Sequence, residues 1–204
     1  MIKIEEHTFN PDYLGPNSVV IDVGGNRGNF SIEIVNRFGC TVECFEPDIS
    51  AYNVIKNRIS HPKFTVHNQA VSGVSGKQLF YSACPCNGGS SLLPNSREFG
   101  KYPESIALEV DVVSMDSILE KFSTVDLLKL DCEGAEISIF DKSKELKRIK
   151  QITVEFHDFC FDCITIDDLN RCINKIESDG FVGTYDRNHK DPDRDYYFIN
   201  KAMI

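Results

Sequence analysis

The sequence lacks three features that would point to a membrane, to export or to nucleic acid. No apolar run reaches the roughly 18 residues that a membrane-spanning helix needs, so no span is expected. The first residues, Met-Ile-Lys-Ile-Glu-Glu-His, lack the basic start and apolar core of a signal peptide, which favours a cytoplasmic location. The formal net charge of −9 argues against a nucleic-acid partner, because an acidic protein does not replace the counterions of a phosphate backbone.

Length and composition instead predict one globular domain. The chain has 204 residues, of which 41% are hydrophobic and 26% charged, and these proportions suit a single core. Residues 1–17 contain several Asn, Gly and Pro residues and are predicted to be a lead-in with turns. We therefore expect a single domain over residues 18–204.

Eight cysteines are many for a chain without an export signal. The favoured interpretation is that they are reduced thiols, mostly packed as small core residues. Zinc is the alternative, since Cys84 with Cys86 and Cys160 with Cys163 together offer four thiolates. The one-residue gap in the first pair is atypical of zinc sites.

The most informative stretch joins a buried strand to a helix through glycines. Residues 19–21 are β-branched and apolar, which is typical of a strand buried on both faces of a parallel sheet. Asp22 ends this run, and Gly24, Gly25 and Gly28 follow before apolar residues recur at helical spacing over residues 29–38. Glycines between such a strand and helix let a ligand approach the backbone, so a nucleotide-type site is expected there.

Two polar residues at later strand ends fit the same kind of ligand. Glu46 ends a predicted strand over residues 41–45 and lies 18 residues past Gly28, where an acid is placed to accept hydrogen bonds from a ribose diol. Asn68 follows the next strand, at a position where its side chain would meet an adenine. These residues do not by themselves distinguish S-adenosylmethionine from a dinucleotide.

The rest of the chain alternates strands and helices, which predicts an α/β fold of five mainly parallel strands closed by a hairpin. Asp48 or Ser50 is expected to cap the second helix, Asp116 the third, and Thr165 with Asp168 a later one. Further strands are predicted over residues 64–67, 78–81, 108–113, 127–130, 152–156, 181–185 and 196–199. Residues 83–105 show no periodicity and are predicted to be a lid or substrate loop.

Acidic residues gather after the strand over residues 127–130. Lys129 lies within this apolar strand and projects to the same side as Asp131, so a structural ion pair and the polar wall of a site are both open interpretations. Glu133 and Glu136 follow, and His157 ends the next core strand. A hydroxyl nucleophile needs a proton acceptor, and a carboxylate or imidazole supplies one.

Taken in order, these segments resemble the FkbM-type methyltransferases, a class I family that depends on S-adenosylmethionine. The matching segments are Asp22-Val23-Gly24-Gly25-Asn26-Arg27-Gly28 with Ser31, Phe45-Glu46-Pro47, Asn68-Gln69-Ala70-Val71, Ser90-Ser91-Leu92, Lys129-Leu130-Asp131-Cys132-Glu133-Gly134-Ala135-Glu136 and Val154-Glu155-Phe156-His157. The likeness covers roughly residues 18–160, and Gly25 stands where the family usually has Ala.

The resemblance implies a Rossmann-like fold with helices on both faces of a seven-stranded, mostly parallel sheet. Its last strand is expected to be antiparallel and to lie beside the fifth. The loop over residues 24–28 would hold the methionine part of the cofactor and Glu46 its ribose, and a positive sulfonium would suit the nearby Asp22 and Asp131, which would repel a pyrophosphate. The cofactor-binding candidates are Asp22, Gly24, Gly25, Asn26, Gly28, Ser31, Glu46, Pro47, Asn68, Ala70 and Asp131.

The expected reaction is O-methylation of a sugar, glycolipid or small metabolite. Asp131, Glu133 and His157 are the catalytic candidates: His157 or Asp131 as the base, and Glu133 orienting the substrate. A structural histidine at position 157, and a divalent ion held by Asp131, Glu133 and Glu136, are alternatives, the ion not being favoured. A nicotinamide-dependent reductase and a non-catalytic scaffold are the competing functions.

Overall fold

The structure, a computed structural model, describes residues 1–83, 88–94, 100–101, 103–158, 161, 163–184 and 195–204. In these residues the chain forms twelve strands and five α-helices. The strands are β1 Ile2–Ile4, β2 His7–Phe9, β3 Val19–Val23, β4 Thr41–Phe45, β5 Phe64–His67, β6 Ala70–Ser72, β7 Gly76–Ser82, β8 Ile106–Ser114, β9 Leu127–Leu130, β10 Gln151–Glu155, β11 Phe181–Thr184 and β12 Asp195–Asn200. The helices are α1 Asn29–Phe38, α2 Ile49–Arg58, α3 Met115–Leu119, α4 Glu136–Lys142 and α5 Ile166–Ser178.

Seven strands form the central sheet in the order β11-β12-β10-β9-β3-β4-β5. Strands β10, β9, β3, β4 and β5 pair in parallel, whereas β12 is antiparallel to both β10 and β11. The predicted seven-stranded, mostly parallel sheet with an antiparallel strand beside the fifth core strand is therefore confirmed. Parallel strands bring their carboxyl ends to one edge, and this edge holds the candidate site.

Apolar clusters cover both faces of this sheet, because successive residues of a buried strand point to opposite sides. In β3, Val20 packs with Phe30 and Ile34 of α1 on one face, while Ile21 packs in the cluster that includes α4 and α5 on the other. Helix α1 ends at Gly39, whose left-handed φ of 64° stops the helix. The predicted bounds of α1 match the structure.

The N-terminal segment, predicted to be a lead-in with turns, contains a β-hairpin. Strands β1 and β2 pair antiparallel across a two-residue turn in which Glu5 adopts a φ of 50°. Ile4 and Phe9 are fully buried in the cluster around α1. The hairpin also contacts β10 and β12, so residues 1–9 extend the core of the domain.

Helix ends follow side-chain chemistry, with one correction. Asp48 caps α2, and Thr165 forms the predicted capping box with Asp168 at the start of α5. Asp116 was predicted to cap α3, but Ser114 accepts the hydrogen bond from the amide of residue 117 instead. The reason is position: Asp116 lies inside the first turn, and its carboxylate accepts hydrogen bonds from residues 143–145.

A second, smaller sheet lies beside the candidate site. The strand predicted over residues 78–81 is β7, which pairs antiparallel with β8, while β6 pairs with β8 in parallel. Phe80 of β7 points inward among the residues that line the site. Among the helices that the structure describes, none combines the length and the apolar composition needed to cross a bilayer.

Candidate active site

A cavity of about 730 Å³ opens at the carboxyl edge of β3, β4 and β9. Its walls come from the glycine loop, the turn after β4, the small sheet, the segment after β9 and part of residues 83–105. The lining residues are Val23, Gly24, Asn26, Phe45, Glu46, Pro47, Asp48, Ala51, Ala70, Val71, Phe80, Gly88, Gly89, Ser90, Leu92, Asp131, Cys132, Glu133 and Ala135. Candidates from four separate sequence segments thus meet at one cavity.

The glycine loop is held so closely to the sheet that two positions require glycine. The amide groups of Gly24 and Gly25 both donate to the carbonyl of Phe45, at 3.0 and 3.1 Å. At Gly24 the φ is +80°, and an added Cβ would lie 1.8 Å from the carbonyl oxygen of Asp131. Gly28 has a φ of +79° at the start of α1. A side chain at Gly24 would displace backbone, and one at Gly28 would have to adopt a left-handed φ, so the loop takes this path only with glycine at both positions.

At Gly25 glycine is favoured by packing and not by the backbone, since its φ lies outside the left-handed region. An added Cβ would lie 2.4 Å from Sγ of Cys44 and 3.1 Å from Cδ1 of Ile55. The Cys44 sulfur therefore occupies the space that an alanine methyl group would take. This buried contact explains how the loop accommodates glycine here without leaving a void.

Glu46 presents a buried carboxylate to the cavity. Its Oε2 accepts the Asn26 amide at 2.7 Å, and its Oε1 accepts the Asp48 amide at 2.8 Å. Burial raises the pKa of Glu46 to about 7, although these two amide donors favour the ionised form. The side-chain amide of Asn68 donates to the carbonyls of Glu46 and Pro47, both at 3.0 Å. Asn68 thus braces the turn, and an adenine contact stays a prediction.

Asp22, Ser31 and Lys129 support the loop from beneath. Ser31 donates to Asp22 at 2.6 Å, and Lys129 lies 3.1 Å from the other oxygen of Asp22 while donating to the Gly24 carbonyl at 2.6 Å. Burial opposes the charge on Lys129, but Asp22 and Asp131 outweigh it and raise its pKa. Asp22 and Ser31 are fully buried and do not line the cavity, so the structure gives them a supporting role in place of the predicted ligand contact.

Asp131, Glu133 and His157 come together as predicted, but the charge states of Asp131 and His157 do not suit the predicted role of base. Nε2 of His157 lies 3.6 Å from Asp131 and 3.5 Å from Glu133. Burial disfavours the imidazolium, yet the surrounding carboxylates raise the pKa of His157 well above its usual value. Burial also opposes ionisation of Asp131, but Lys129 and two histidines hold its pKa far below the usual range. A stable imidazolium and a stable anion are both weak proton acceptors, so neither fits the predicted role of base.

Glu136 is excluded from the alternative metal site by its surroundings. It is fully buried, and its two oxygens accept the amides of Cys132 at 2.8 Å and Gly134 at 2.9 Å. One of these oxygens also lies 3.2 Å from Nδ1 of His157. Glu136 therefore shapes the turn after β9 and orients His157.

Two residues that the sequence interpretation missed also reach this edge. His7 arrives on the N-terminal hairpin, and its Nε2 lies 3.7 Å from Asp131. Glu155 ends β10 and lies 3.9 Å from Nε2 of His157. A motif search has no signal for His7, because its partners lie more than 120 residues away in the sequence. Glu155 lies two residues before His157 in the Val154–His157 segment, so the sequence does carry a signal that it lies near the site.

The predicted lid is only partly within the described residues. Its Gly89 amide donates to Glu133 at 2.8 Å, and Gly88 and Ser90 line the cavity. This part of the loop therefore closes one wall of the site. For the zinc alternative, Cys84, Cys86 and Cys160 lie outside the described residues, whereas Cys163 is an exposed free thiol.

Comparison with known proteins decides the family. A family model described as the methyltransferase FkbM domain matches residues 22–182. This chain belongs to the FkbM methyltransferase family. Its match begins at Asp22 under the glycine loop and includes every residue that lines the cavity, so the FkbM assignment rests on the segments that build the site.

Individual FkbM relatives and other methyltransferases are distant. The chain is 23% identical over 170 residues to methyltransferase sdnD of Sordaria araneosa, covering 66% of this chain and 63% of that protein. The fold resembles a methyltransferase FkbM from Methylobacillus flagellatus KT, with a TM-score of 0.58, 14% identity, and coverage of 91% of this chain and 44% of that one. It also resembles an rRNA methylase from Streptococcus thermophilus, with a TM-score of 0.52, 9% identity, and coverage of 92% and 87%.

These structural likenesses show the class I methyltransferase fold. This FkbM chain spans less than two thirds of the length of sdnD and less than half of the Methylobacillus chain. The match therefore leaves more than a third of sdnD and more than half of the Methylobacillus chain uncovered.

Proposed function

We propose that this chain is an S-adenosylmethionine-dependent methyltransferase that methylates a hydroxyl oxygen of a sugar, glycolipid or small metabolite. The observation that carries the proposal is the Glu46 carboxylate, which faces a cavity beside a glycine loop in a chain of the FkbM family. An ionised carboxylate is the acceptor that two ribose hydroxyls require.

The parts of the cofactor are proposed to occupy the cavity in the order in which they are linked. Glu46 would hold the ribose, Pro47 and Ala70 the adenine side, and Gly24 with Asn26 the methionine side. Asp131 lies at the end of β9 next to this loop and would stabilise a positive sulfonium. When bound, S-adenosylmethionine supplies a methyl group on a positively charged sulfur, which leaves as a neutral thioether.

The acceptor is proposed to enter between Glu133 and the described part of the 83–105 loop. Glu133 lines the cavity, accepts the Gly89 amide through Oε1, and places Oε2 3.5 Å from Nε2 of His157. We assign Glu133 as the group that takes the hydroxyl proton, with His157 and Asp131 positioning it. The acidic wall repels phosphorylated acceptors and favours neutral polyols.

Calorimetric titration with S-adenosylhomocysteine, the demethylated cofactor, tests the proposal. Glu46→Gln removes the charge that accepts the ribose hydroxyls, so its affinity is expected to fall at least about tenfold. Glu43→Gln is the matched control, because Glu43 lies on β4, the strand that Glu46 follows, pairs with His67 at 2.6 Å and is absent from the cavity wall. Its affinity is expected to stay at the wild-type value.

Three outcomes separate the competing functions. Binding of NAD in place of S-adenosylhomocysteine would favour a reductase, and binding of neither would favour a scaffold. Equal affinities of wild type and Glu46→Gln would contradict the proposed ribose contact. A screen of hydroxyl acceptors with a labelled methyl donor then identifies the substrate, and Glu133→Gln is expected to lower turnover without weakening cofactor binding.

A further inference from the structure

His7, Asp131 and Glu155 converge from three distant parts of the sequence onto one point. His7 lies on β2, Asp131 follows β9 and Glu155 ends β10. One ring nitrogen and one oxygen from each carboxylate all lie within 4.8 Å of one another. His7 is almost fully buried, and its ring packs edge-on against Phe30 with 5.8 Å between the ring centres. The imidazole is therefore fixed in place by its packing.

Contacts on the far side of the ring fix which nitrogen of His7 faces Asp131. The Thr153 hydroxyl donates its proton to Asp195 at 3.2 Å. The Thr153 oxygen is therefore the acceptor in its 3.4 Å contact with Nδ1 of His7, which makes Nδ1 the protonated nitrogen. Nε2 is then the ring nitrogen that faces Asp131, which is also the arrangement that orients histidine ligands in metal sites.

The spacing between these groups suits a shared cation better than direct hydrogen bonds. Nε2 of His7 lies 3.7 Å from the Asp131 carboxylate, beyond hydrogen-bond range. Neighbouring ligands of a divalent ion with bonds of about 2.1 Å lie about 3.0 to 3.4 Å apart and opposite ligands about 4.2 Å apart. The 3.7 Å separation of Nε2 and the Asp131 carboxylate leaves room for an ion bound by both.

Lys129 is not the cation that His7 and Asp131 would share. It lies 3.4 Å from the same Asp131 carboxylate, but it donates to the carbonyls of Val23 and Gly24 and pairs with Asp22 on the other side. The point between His7 and Asp131 also has a route to solvent, because both line a second cavity of about 820 Å³ with Glu5 and Glu6. Glu5 and Glu6 add negative charge along this route, which Arg27 and Lys129 also line.

We propose that His7, Asp131 and Glu155 bind a divalent first-row transition ion. One imidazole and two carboxylates form a mixed donor set of the kind that Mn²⁺ and Zn²⁺ accept, whereas Mg²⁺ prefers oxygen ligands alone. The role of the ion rests on the proposed function: it would polarise the acceptor hydroxyl beside Asp131. The O–H bond then breaks, its proton passes to Glu133, the O–CH₃ bond forms, and the S–CH₃ bond breaks with its electron pair kept by sulfur.

Metal binding is measured directly on the purified chain after dialysis against a chelator. Calorimetry and electron paramagnetic resonance with Mn²⁺ are expected to show one tight ion per chain, with much weaker binding of Mg²⁺. Glu155→Gln and His7→Ala are each expected to weaken Mn²⁺ binding at least about tenfold. His61→Ala is the matched control, since His61 lies in the turn before β5, where its ring accepts the Lys63 amide.

Thermal unfolding provides a second measurement that tolerates a destabilised variant. A hundredfold excess of Mn²⁺ over the wild-type dissociation constant is expected to raise the wild-type Tm by about 5–10 °C and the Glu155→Gln Tm by about half of that or less. Absence of Mn²⁺ and Zn²⁺ binding, or equal binding by wild type, Glu155→Gln and His7→Ala, would overturn the inference. Mn²⁺ binding without S-adenosylhomocysteine binding would instead refute the proposed function and leave the metal site standing.

Discussion

The contact between Gly25 and Cys44 leads to a quantitative prediction about the cofactor loop. In Gly25→Ala, the new Cβ would lie 2.4 Å from the Cys44 sulfur and 3.1 Å from Ile55. Overpacking of this kind costs about 1–3 kcal/mol, and the lower chain entropy of alanine offsets about 0.4–1 kcal/mol. The net loss is expected to be up to about 2.5 kcal/mol. This lowers the Tm of a domain of this size by up to about 10 °C.

A second substitution removes the cause. Cys44→Ala deletes one buried heavy atom and is expected to cost about 1 kcal/mol by itself. In the double variant the new methyl group at position 25 fills the space that the sulfur has left, so the two losses should not add. The coupling free energy is expected to be about 1–2 kcal/mol in the stabilising direction, and urea unfolding of all four proteins measures it.

Gly15→Ala is the control for the backbone effect of the substitution, because an added Cβ there meets nothing within 4 Å. It should leave the free energy of unfolding unchanged or raise it slightly. Losses that add within about 0.5 kcal/mol would show that the sulfur and the Gly25 position do not share one space. That result would remove the packing explanation for glycine at this position.

The remaining predictions concern Gly24, the cap of α5 and the pH dependence that Glu46 causes. Gly24→Ala places Cβ 1.8 Å from the Asp131 carbonyl oxygen at a φ of +80°. It should lower the free energy of unfolding by more than about 3 kcal/mol and abolish cofactor binding in calorimetry. Thr165→Ala removes the α5 cap and should lower the Tm by about 2–4 °C. Since the folded pKa of Glu46 is raised from 4.5 to about 7, its contribution to stability declines as pH rises through that window. A ribose needs the ionised form, so S-adenosylhomocysteine affinity should fall toward tenfold per pH unit below about 7 in wild type and stay flat in Glu46→Gln.

The parts of the fold that are written locally in the sequence were predictable. The β3 strand, the glycine loop and α1 carry their own periodicity and turn chemistry, as does the Thr165 capping box. The order of strands came from the family resemblance, because strand pairing is a long-range property. Glu46 was placed correctly beside the glycine loop, since it follows a strand that pairs with β3 in parallel.

The parts that failed depend on contacts between distant residues. Strands β1 and β2 have three residues each, and Glu5-Glu6 is not a recognisable hairpin turn, so their pairing had no local signal. The charge state of His157 follows from carboxylates on other segments, and no spacing rule reveals it. Burial of Asp22 likewise became evident only with the Ser31 and Lys129 contacts beneath the loop.

The hairpin also has a consequence for the order in which the chain assembles. The Thr8 amide donates to Asp195 across 187 positions of sequence, and β2 packs on both β10 and β12. On a ribosome the Thr8 amide therefore lacks this partner until β12 has emerged. Until then β10 is an edge strand of the central sheet, and its unpaired side can associate with other chains.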